Sequence, residues 1–469
     1  MFGATLLLTL ATLAGLLAGF AREWLLVAAW GAGARTDAYL VAMFLPEALR
    51  TMLAGGLLSA AALPLWQARA EPARARWLSG FAWHCLLLGA ALGAALAVAA
   101  PWLVRMVGPG LAPASAAEAA GVLRWLAWLA PGLLLQAALT VPLQAGGRFL
   151  LAGLGSLLFN LPAVIYLRWA GRAADAAVLA QSFVLGSVLM ALVLLPGNWR
   201  LGWRPWLLGC RGDARELWRK LLPLLASSAA SQGLALLERL AASLLGEGVI
   251  TLVNLARKLI NLPLIALMSL NQVLLGKMSG LAGEDRMRVL RRGLSLCTLL
   301  TLPAAAGLIG AAPALVALLL PRGLADGPLP QLLALYALGI VFGGWNALLA
   351  RYFYAAGDTR APLLFELAGS GLQALLLFAL PYLFGLPGLA FAALGGVLLT
   401  GALLGGRLRL RRRLLAEGAL ALGAALACGA LLFPLRGQGA WLQLGWATLS
   451  GALLLALLGW RCRLSWEAD

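Results

Sequence analysis

Residues 77–103 read WLSGFAWHCLLLGAALGAALAVAAPWL, and this stretch decides the fold class. It contains no Asp, Glu, Lys or Arg, and as a helix it would extend about 40 Å at 1.5 Å per residue. The hydrocarbon core of a bilayer is about 30 Å thick, so the stretch is long enough to cross it. Because no water is available there, every backbone polar group must be bonded within the segment, which predicts a transmembrane α-helix.

Similar apolar runs fill the chain on both sides of this stretch. Of the 469 residues, 62% are hydrophobic and 12% are charged. A soluble protein of this composition would aggregate through its surface. The alternating ten-residue segments of a transmembrane β-barrel do not appear in the sequence. We therefore predict an all-α integral membrane protein.

The apolar runs, separated by short polar turns, predict about fourteen transmembrane helices. Their approximate bounds are residues 2–31, 37–66, 77–103, 122–144, 150–169, 175–195, 221–246, 249–275, 294–320, 332–355, 361–384, 387–404, 416–433 and 441–460.

The basic residues predict the orientation of these helices. The net charge is +18, which by itself would suggest a nucleic-acid partner. Most Lys and Arg residues instead cluster at 69–76, 200–220, 277–292 and 407–413, in every second connection between apolar runs. Short cytoplasmic loops carry such an excess, so we predict that both termini are cytoplasmic and that nucleic acid is no partner.

The order of the predicted helices suggests two lobes. A basic turn follows the fourth helix at residues 146–149, and another follows the tenth at 357–362. We predict a six-helix lobe over residues 1–197, a basic cytoplasmic connector over 198–220 and a second six-helix lobe over 221–406. Residues 407–469 would form two further transmembrane helices and a short tail. Two lobes around a central cavity are typical of transporters.

Three arginines within apolar runs are candidates for contact with a substrate. Arg50 would lie about 20 Å into the second helix, Arg257 about 15 Å into the eighth, and Arg22 interrupts the first run. A charge inside a bilayer costs at least about 2.5–3.5 kcal/mol and should face a wet cavity or a partner. The alternative for Arg50 is an ion pair with Glu47, three residues away on the same helical face.

The same two interpretations, substrate contact or internal pairing, stay open for other charges in the membrane. Arg239 and Lys258 are each beside another charge, and arginine suits a phosphate or pyrophosphate because its planar fork binds two oxygens. Glu366 is a candidate for binding a coupling cation or proton, with a buried pair as the alternative. The lone His84 is interpreted as a packing or hydrogen-bonding residue.

Absent motifs favour transport over catalysis. The chain has no GxxxxGK[ST] and no HExxH, and with one histidine and unpaired cysteine spacings it predicts no metal site and no resident cofactor. The predicted outer loops are too short for the extramembrane domain common in glycan polymerases. An integral-membrane glycosyltransferase or glycan polymerase remains the alternative from the enzyme class.

Five short motifs occur in order along the chain: GFAR at 19–22, TDAY at 36–39, LPEALR at 45–50, ARKL at 256–259 and FYAAGD at 353–358. With these motifs the chain resembles the MurJ/MviN family of lipid II flippases, in the multidrug/oligosaccharidyl-lipid/polysaccharide exporter superfamily. The resemblance implies a bacterial inner-membrane location and two six-helix lobes with two extra helices. It also implies that Arg22, Arg50 and Arg257 engage a pyrophosphate and that Asp37 lies near the outer mouth.

Four positions depart from the family pattern. Leu16 stands where the family usually has an arginine, Thr51 where it has a second arginine, and Gly55 where it has a gate glutamate. Glu238 is the candidate for the family's sodium-coupling acid, although it is near the outer end of the seventh helix. Coupling to sodium, to a proton or to the membrane potential therefore stays open.

These departures favour a divergent member of the family. We expect a flippase for a polyprenyl-pyrophosphate-linked saccharide, either an exopolysaccharide or another envelope-glycan precursor, with lipid II itself as the alternative. The expected partners are this lipid-linked glycan, membrane lipids and glycan-synthesis machinery.

Overall fold

The computed structural model describes residues 2–54, 57–70, 73–146, 148, 151, 153–206, 219, 221, 232–321, 323–432 and 439–468. These residues form helices joined by short turns. By its internal contacts the chain divides into two compact units, Met1–Gly248 and Val249–Asp469. We describe the two units separately.

The first unit consists of ten described helices. They are α1 (Phe2–Trp30), α2 (Ala34–Ala54), α3 (Leu57–Gln67), α4 (Ala73–Val107), α5 (Pro113–Leu126), α6 (Leu129–Ala145), α7 (Gly155–Ala170), α8 (Ala176–Leu192), α9 (Leu195–Arg200) and α10 (232–244). Asp175 caps α8, because its Oδ1 accepts hydrogen bonds from the backbone N–H groups of Ala177 and Val178 at 2.9 and 3.0 Å.

The second unit consists of eight described helices. They are α11 (Val249–Ser279), α12 (Gly283–Gly310), α13 (Ala312–Leu319), α14 (Leu329–Ala355), α15 (Arg360–Phe384), α16 (Leu386–Arg407), α17 (Arg411–Leu432) and α18 (Ala440–Ala468).

Nine segments of the described chain are long and apolar enough to cross a bilayer. The segment predicted first from residues 77–103 is among them, as part of α4. The all-α fold class is confirmed for the described residues. The predicted total of fourteen helices stays a prediction. Within the seventh predicted helix, the structure describes residue 221 and residues 232–246, and 232–244 are helical.

Two predicted helices are each divided in the structure, and a proline follows each division. The predicted fourth helix is divided into α5 and α6, which are separated by Ala127 and Trp128. Pro131 has no N–H to donate to the carbonyl of Ala127, so the helix lacks one of its hydrogen bonds at this turn. The predicted ninth helix is likewise divided at Ala311, two residues before Pro313.

The start of the ninth helix was also predicted too late. The α12 helix begins at Gly283, eleven residues before the predicted start at Leu294, and includes Arg286, Arg288, Arg291 and Arg292. Arginine is a good helix former in water, so a helix can extend beyond the hydrocarbon core. The apolar pattern marks only the part of the helix that is inside the membrane.

Glycines allow close contacts between helices of the first unit. A Cβ at Gly89 in α4 would lie 2.6 Å from the Cα of Pro131, and a Cβ at Gly15 in α1 would lie 2.7 Å from the Cβ of Ser156. Real Cβ atoms do not approach this closely, so only glycine fits at these crossings. Such small residues are what brings helices together in lipid, where the hydrophobic effect gives no drive.

The predicted boundary between the lobes stays a prediction. The change between the two compact units falls after Gly248, whereas the sequence predicted the second lobe from residue 221. Residues 222–231 lie outside the described part of the chain. Residues 232–244, predicted for the second lobe, group by contact with the first unit.

Candidate substrate site

Arg22, the first predicted substrate contact, is buried among partners within the first unit. Its side chain is in α1, and the residue is 7% exposed. Its Nη2 pairs with the Oε1 of Glu23, and its Nη1 donates a hydrogen bond to the Oδ1 of Asn160 over 3.0 Å. Asn160, in α7, in turn donates from Nδ2 to the carbonyl oxygen of Ser156 over 2.7 Å. This geometry fixes the guanidinium of Arg22 in one position.

Arg50, the second predicted contact, forms the ion pair that the sequence offered as the alternative. Its Nη2 and Nε donate to the two carboxylate oxygens of Glu47 over 2.6 and 3.1 Å. Both side chains are partly accessible, so the pair is not sealed in the protein interior. The accessible side of the pair leaves room for another group to approach Arg50.

Arg22 and Arg50 rest on two neighbouring aromatic rings. The Cζ of Arg22 lies 5.2 Å from the ring centroid of Phe183, and the Cζ of Arg50 lies 5.0 Å from that of Phe159. The two rings, which we call the aromatic pair, are fully buried, and their centroids are 5.2 Å apart. Cation–π contacts of this kind contribute about 0.5–2 kcal/mol each. The aromatic pair therefore contacts two arginines of different helices.

Arg239 and Asp37 also make contacts within the first unit. Arg239 donates from Nη1 to the carbonyl oxygen of Leu40 over 2.7 Å and lies 4.8 Å from the ring centroid of Phe44. Asp37 is 1% exposed, and its Oδ2 accepts a hydrogen bond from the backbone N–H of Gly248 over 2.6 Å. Asp37 thus binds the backbone at the end of the first unit. Its predicted contact with a substrate stays a prediction.

Arg257, the third predicted contact, lies on the wall of a cavity in the second unit. The side chain is exposed, and its Cζ lies 5.2 Å from the ring centroid of Tyr336 in α14. The cavity, which we call the Arg257 cavity, has a volume of about 280 Å³ and is lined by residues of α11, α14 and α16. Lys258, the next residue, is half-buried. The α11 sequence contains Arg257, Lys258 and Lys277 but no Asp or Glu, so it presents only positive charge.

The two candidate coupling acids differ in their surroundings. Glu238 in α10 is buried and interacts electrostatically with Arg239. Glu366 in α15 is exposed and interacts electrostatically with Arg351 at the end of α14. A basic residue therefore lies near each acid, but Glu366 is exposed, unlike the buried pair that the sequence offered as its alternative. Their coupling role stays a prediction.

A second cavity of the second unit is apolar. It has a volume of about 300 Å³ and lies between α14, α16 and α17. Phe342, Trp345, Leu349 and Leu414 contribute to its lining, and Asn346 is its polar member. The Nδ2 of Asn346 donates to the carbonyl oxygen of Val397 over 2.8 Å. We call this cavity the apolar groove.

Sequence reasoning missed the residues that hold the arginines. Glu23 is adjacent to Arg22 in the chain, and this acid–base neighbour was a visible signal. Asn160 could have been noticed as an amide within an apolar helix. The aromatic pair and Tyr336 carry no such signal, because aromatic residues are common in membrane helices.

The sequence matches a known protein family, and the fold matches solved structures. The family model described as lipid II flippase MurJ matches residues 26–448. A solved structure of a lipid II flippase MurJ in an inward closed conformation superposes with a TM-score of 0.83 at 18% sequence identity, covering 97% of this chain and 98% of that one.

Other solved transporters share the fold more distantly. An inward-facing multidrug resistance MATE family transporter of the MOP superfamily superposes with a TM-score of 0.65 at 16% identity, covering 86% of this chain and 95% of that one. A MOP superfamily transporter from Pyrococcus furiosus Vc1 (DSM3638) gives 0.57 at 17% identity, with 87% and 95% covered. At these identities the likeness concerns the fold alone.

Proposed function

Because the chain belongs to the MurJ family of lipid II flippases, we propose that it moves a polyprenyl-pyrophosphate-linked saccharide from the cytoplasmic to the periplasmic leaflet. It is a multi-pass membrane protein of a family that resides in the bacterial inner membrane. MurJ flippases are transporters, which favours transport over the glycosyltransferase or glycan polymerase that the sequence left open. The fourteen-helix, two-lobe arrangement and the cytoplasmic termini form part of the proposal.

The observation that carries the proposal is the exposed guanidinium of Arg257 on the wall of a cavity. Its helix, α11, contributes positive charge and no acid, so the cavity attracts an anion. A guanidinium donates two parallel hydrogen bonds to phosphate oxygens, and these are stronger than neutral ones. Arg22 and Arg50 supply two further guanidinium groups, although each already contacts a glutamate.

The apolar groove supports a lipid as the carrier of this anion. A polyprenyl chain has no polar atoms, so it gains free energy wherever it replaces water or fills a gap between apolar side chains. The groove lining includes Phe342, Trp345, Leu349 and Leu414, whose apolar side chains suit such a chain. In the proposed cycle the arginines bind the pyrophosphate from the cytoplasmic side, the lobes alternate their access, and the tail stays in contact with lipid.

We further propose that the cargo is an exopolysaccharide or other envelope-glycan precursor rather than lipid II. Leu16, which replaces an arginine of the family pattern, is exposed on α1, so its side chain offers an apolar surface instead of a charge. Thr51 replaces a second arginine, and its hydroxyl donates to the carbonyl oxygen of Glu47 over 2.8 Å. Gly55, at the gate position, lies outside the described residues.

Lipid II itself is the second candidate cargo, and the family match favours it. For the driving force, we propose coupling to the membrane potential or to a cation or proton. Glu238 and Glu366 are the candidate binding residues.

Complementation tests the cargo. We expect the protein to support growth poorly, if at all, in a bacterium depleted of its own lipid II flippase. Deleting the gene in its host should leave cells viable and should block a secreted or surface polysaccharide. Full rescue of the depleted strain would instead identify lipid II as the cargo.

Variants of Arg257 test the general function. Arg257→Ala should abolish export of the glycan in the host while protein abundance stays near normal, and Arg257→Lys should restore it only in part, because lysine lacks the planar fork. Arg360→Ala, which removes an exposed arginine at the start of α15, is the matched control and should export normally. Normal export by Arg257→Ala would refute the proposed role of the cavity.

A further inference from the structure

The Arg257 cavity is lined by a neutral polar side chain, that of Asn261, as well as by the guanidinium of Arg257. Arg257 and Asn261 are four residues apart on α11, so they lie on the same face, about one helical turn apart. A guanidinium and a carboxamide therefore face the same space. The guanidinium can bind a phosphate, and the carboxamide, which both donates and accepts hydrogen bonds, suits a neutral polar group such as a sugar hydroxyl or acetamide.

The position of Arg257 within the cavity is set by an aromatic ring. Tyr336 is buried in α14, and its ring centroid lies 5.2 Å from the Cζ of Arg257. The guanidinium therefore lies near this ring, and both residues line the cavity. The remaining space extends from Tyr336 along α14.

That space is bounded by two glycines of α14. Gly339 and Gly343 line the cavity one turn apart. A Cβ added at either position would meet no atom of the described residues within 4 Å. These glycines are therefore not explained by close helix packing, unlike Gly15 and Gly89. They leave open a space beside the guanidinium.

The size of the space limits what can enter. A volume of about 280 Å³ is near the lower end of the range for small-molecule sites, which is about 300–1,000 Å³. It suits one ring-sized polar group but not an extended oligosaccharide. The positive charge of Arg257 disfavours a cation, and the carboxamide of Asn261 disfavours a purely apolar ligand.

We propose that the Arg257 cavity is a subsite for the sugar attached directly to the pyrophosphate. This inference rests on the proposed function and adds a selectivity site to it. Arg257 binds the phosphate next to the sugar, Asn261 hydrogen-bonds to a polar substituent of the sugar ring, and the ring lies over Gly339 and Gly343. The absence of side chains at these two glycines sets the size of sugar that the cavity accepts.

The test compares two lipids on the purified full-length protein in nanodiscs. One probe is undecaprenyl pyrophosphate, and the other is the same lipid carrying a single N-acetylglucosamine. Gly343→Leu should lower the affinity for the sugar-bearing lipid about tenfold or more, a change of about 1.4 kcal/mol, and should change that for the sugar-free lipid less than about twofold. Asn261→Ala should show the same selectivity without adding bulk.

Gly371→Leu is the matched control for the added side chain. Gly371 lies on α15 at an exposed position where a Cβ would meet no described atom within 4 Å, and it does not line the cavity. The Gly371→Leu variant should bind both lipids with the same affinity as the unmodified protein. If Gly343→Leu fails to fold, Asn261→Ala decides the question alone.

Three results would overturn the inference while leaving the proposed function intact. They are equal affinity of the unmodified protein for both lipids, equal losses for both lipids in the variants, and no loss for either. If the unmodified protein binds neither lipid, the proposed function itself is wrong, and the inference is overturned with it.

Discussion

Asn160 of α7 holds Arg22 of α1 by a hydrogen bond of 3.0 Å between Nη1 and Oδ1, although the two residues are 138 positions apart in the chain. Both are buried. A buried guanidinium with an unsatisfied N–H is destabilised by the desolvation of that group, so this amide governs whether Arg22 keeps its position.

Replacing Asn160 with Ala should therefore lower stability and transport together. We expect a loss of about 1–3 kcal/mol in the free energy of unfolding, because one buried charged donor loses its acceptor. Glycan export per folded molecule should also fall, since the guanidinium of Arg22 loses one of the two side-chain hydrogen bonds that orient it. Thermal unfolding of the purified protein and export in the host are the measurements.

Asn198→Ala serves as its control. Asn198 is also buried in the first unit, and its Nδ2 donates to the carbonyl oxygens of Leu139 and Leu194. This variant should lose stability but keep normal export per folded molecule. Normal export by Asn160→Ala would contradict a functional position for Arg22.

The pair of Arg50 and Glu47 allows a double-mutant test of the two interpretations of Arg50. If Arg50 binds the substrate, Arg50→Ala should abolish export, and adding Glu47→Ala should not restore it. Arg50→Lys should recover part of the activity. Export and protein abundance are measured for the single and double variants. Restored export in the double variant would mean that Arg50 serves only to neutralise Glu47.

The topology can be tested by labelling single cysteines in a background without the five native ones. Glu284 and Asp326 are exposed residues that the arginine asymmetry assigns to opposite sides of the membrane. In intact cells, Asp326→Cys should react with a membrane-impermeant thiol reagent, and Glu284→Cys should react only after permeabilisation. Labelling of Glu284→Cys from outside would reverse the predicted orientation.

The close contact between α7 and α8, next to the Phe159 ring that Arg50 contacts, predicts the effect of adding one methyl group at Gly186. A Cβ at Gly186 in α8 would lie 2.4 Å from the carbonyl oxygen of Phe159, so Gly186→Ala must displace α7, which carries one ring of the aromatic pair. We expect this variant to lose about 1–3 kcal/mol in the free energy of unfolding. Thermal unfolding of the purified protein in detergent measures the loss.

Gly121→Ala is the comparison for this variant. Gly121 lies in α5, where a Cβ would meet no atom of the described chain within 4 Å. Alanine is a better helix former than glycine, so this change should be neutral or slightly stabilising. Equal stability of the two variants would show that the α7–α8 contact accommodates a methyl group at position 186.

Much of the fold could be predicted because membrane helices have a local signal. The run at residues 77–103 is apolar over its whole length, and it lies within α4. The divisions at Ala127 and Ala311 were missed even though Pro131 and Pro313 were visible, because apolarity continues across both breaks. The early start of α12 was missed for the opposite reason, since its first turns are charged.

The sequence by itself determined that the chain is an all-α membrane protein and that Arg22, Arg50 and Arg257 are charged residues within its apolar runs. Both conclusions depend on the residues of one segment and on the cost of exposing polar groups to hydrocarbon. Only the tertiary structure decided which groups hold those charges, namely Asn160 and Phe183 for Arg22, Phe159 for Arg50 and Tyr336 for Arg257. The physical reason is that these contacts depend on how separate helices are rotated and packed against one another, which no single segment encodes.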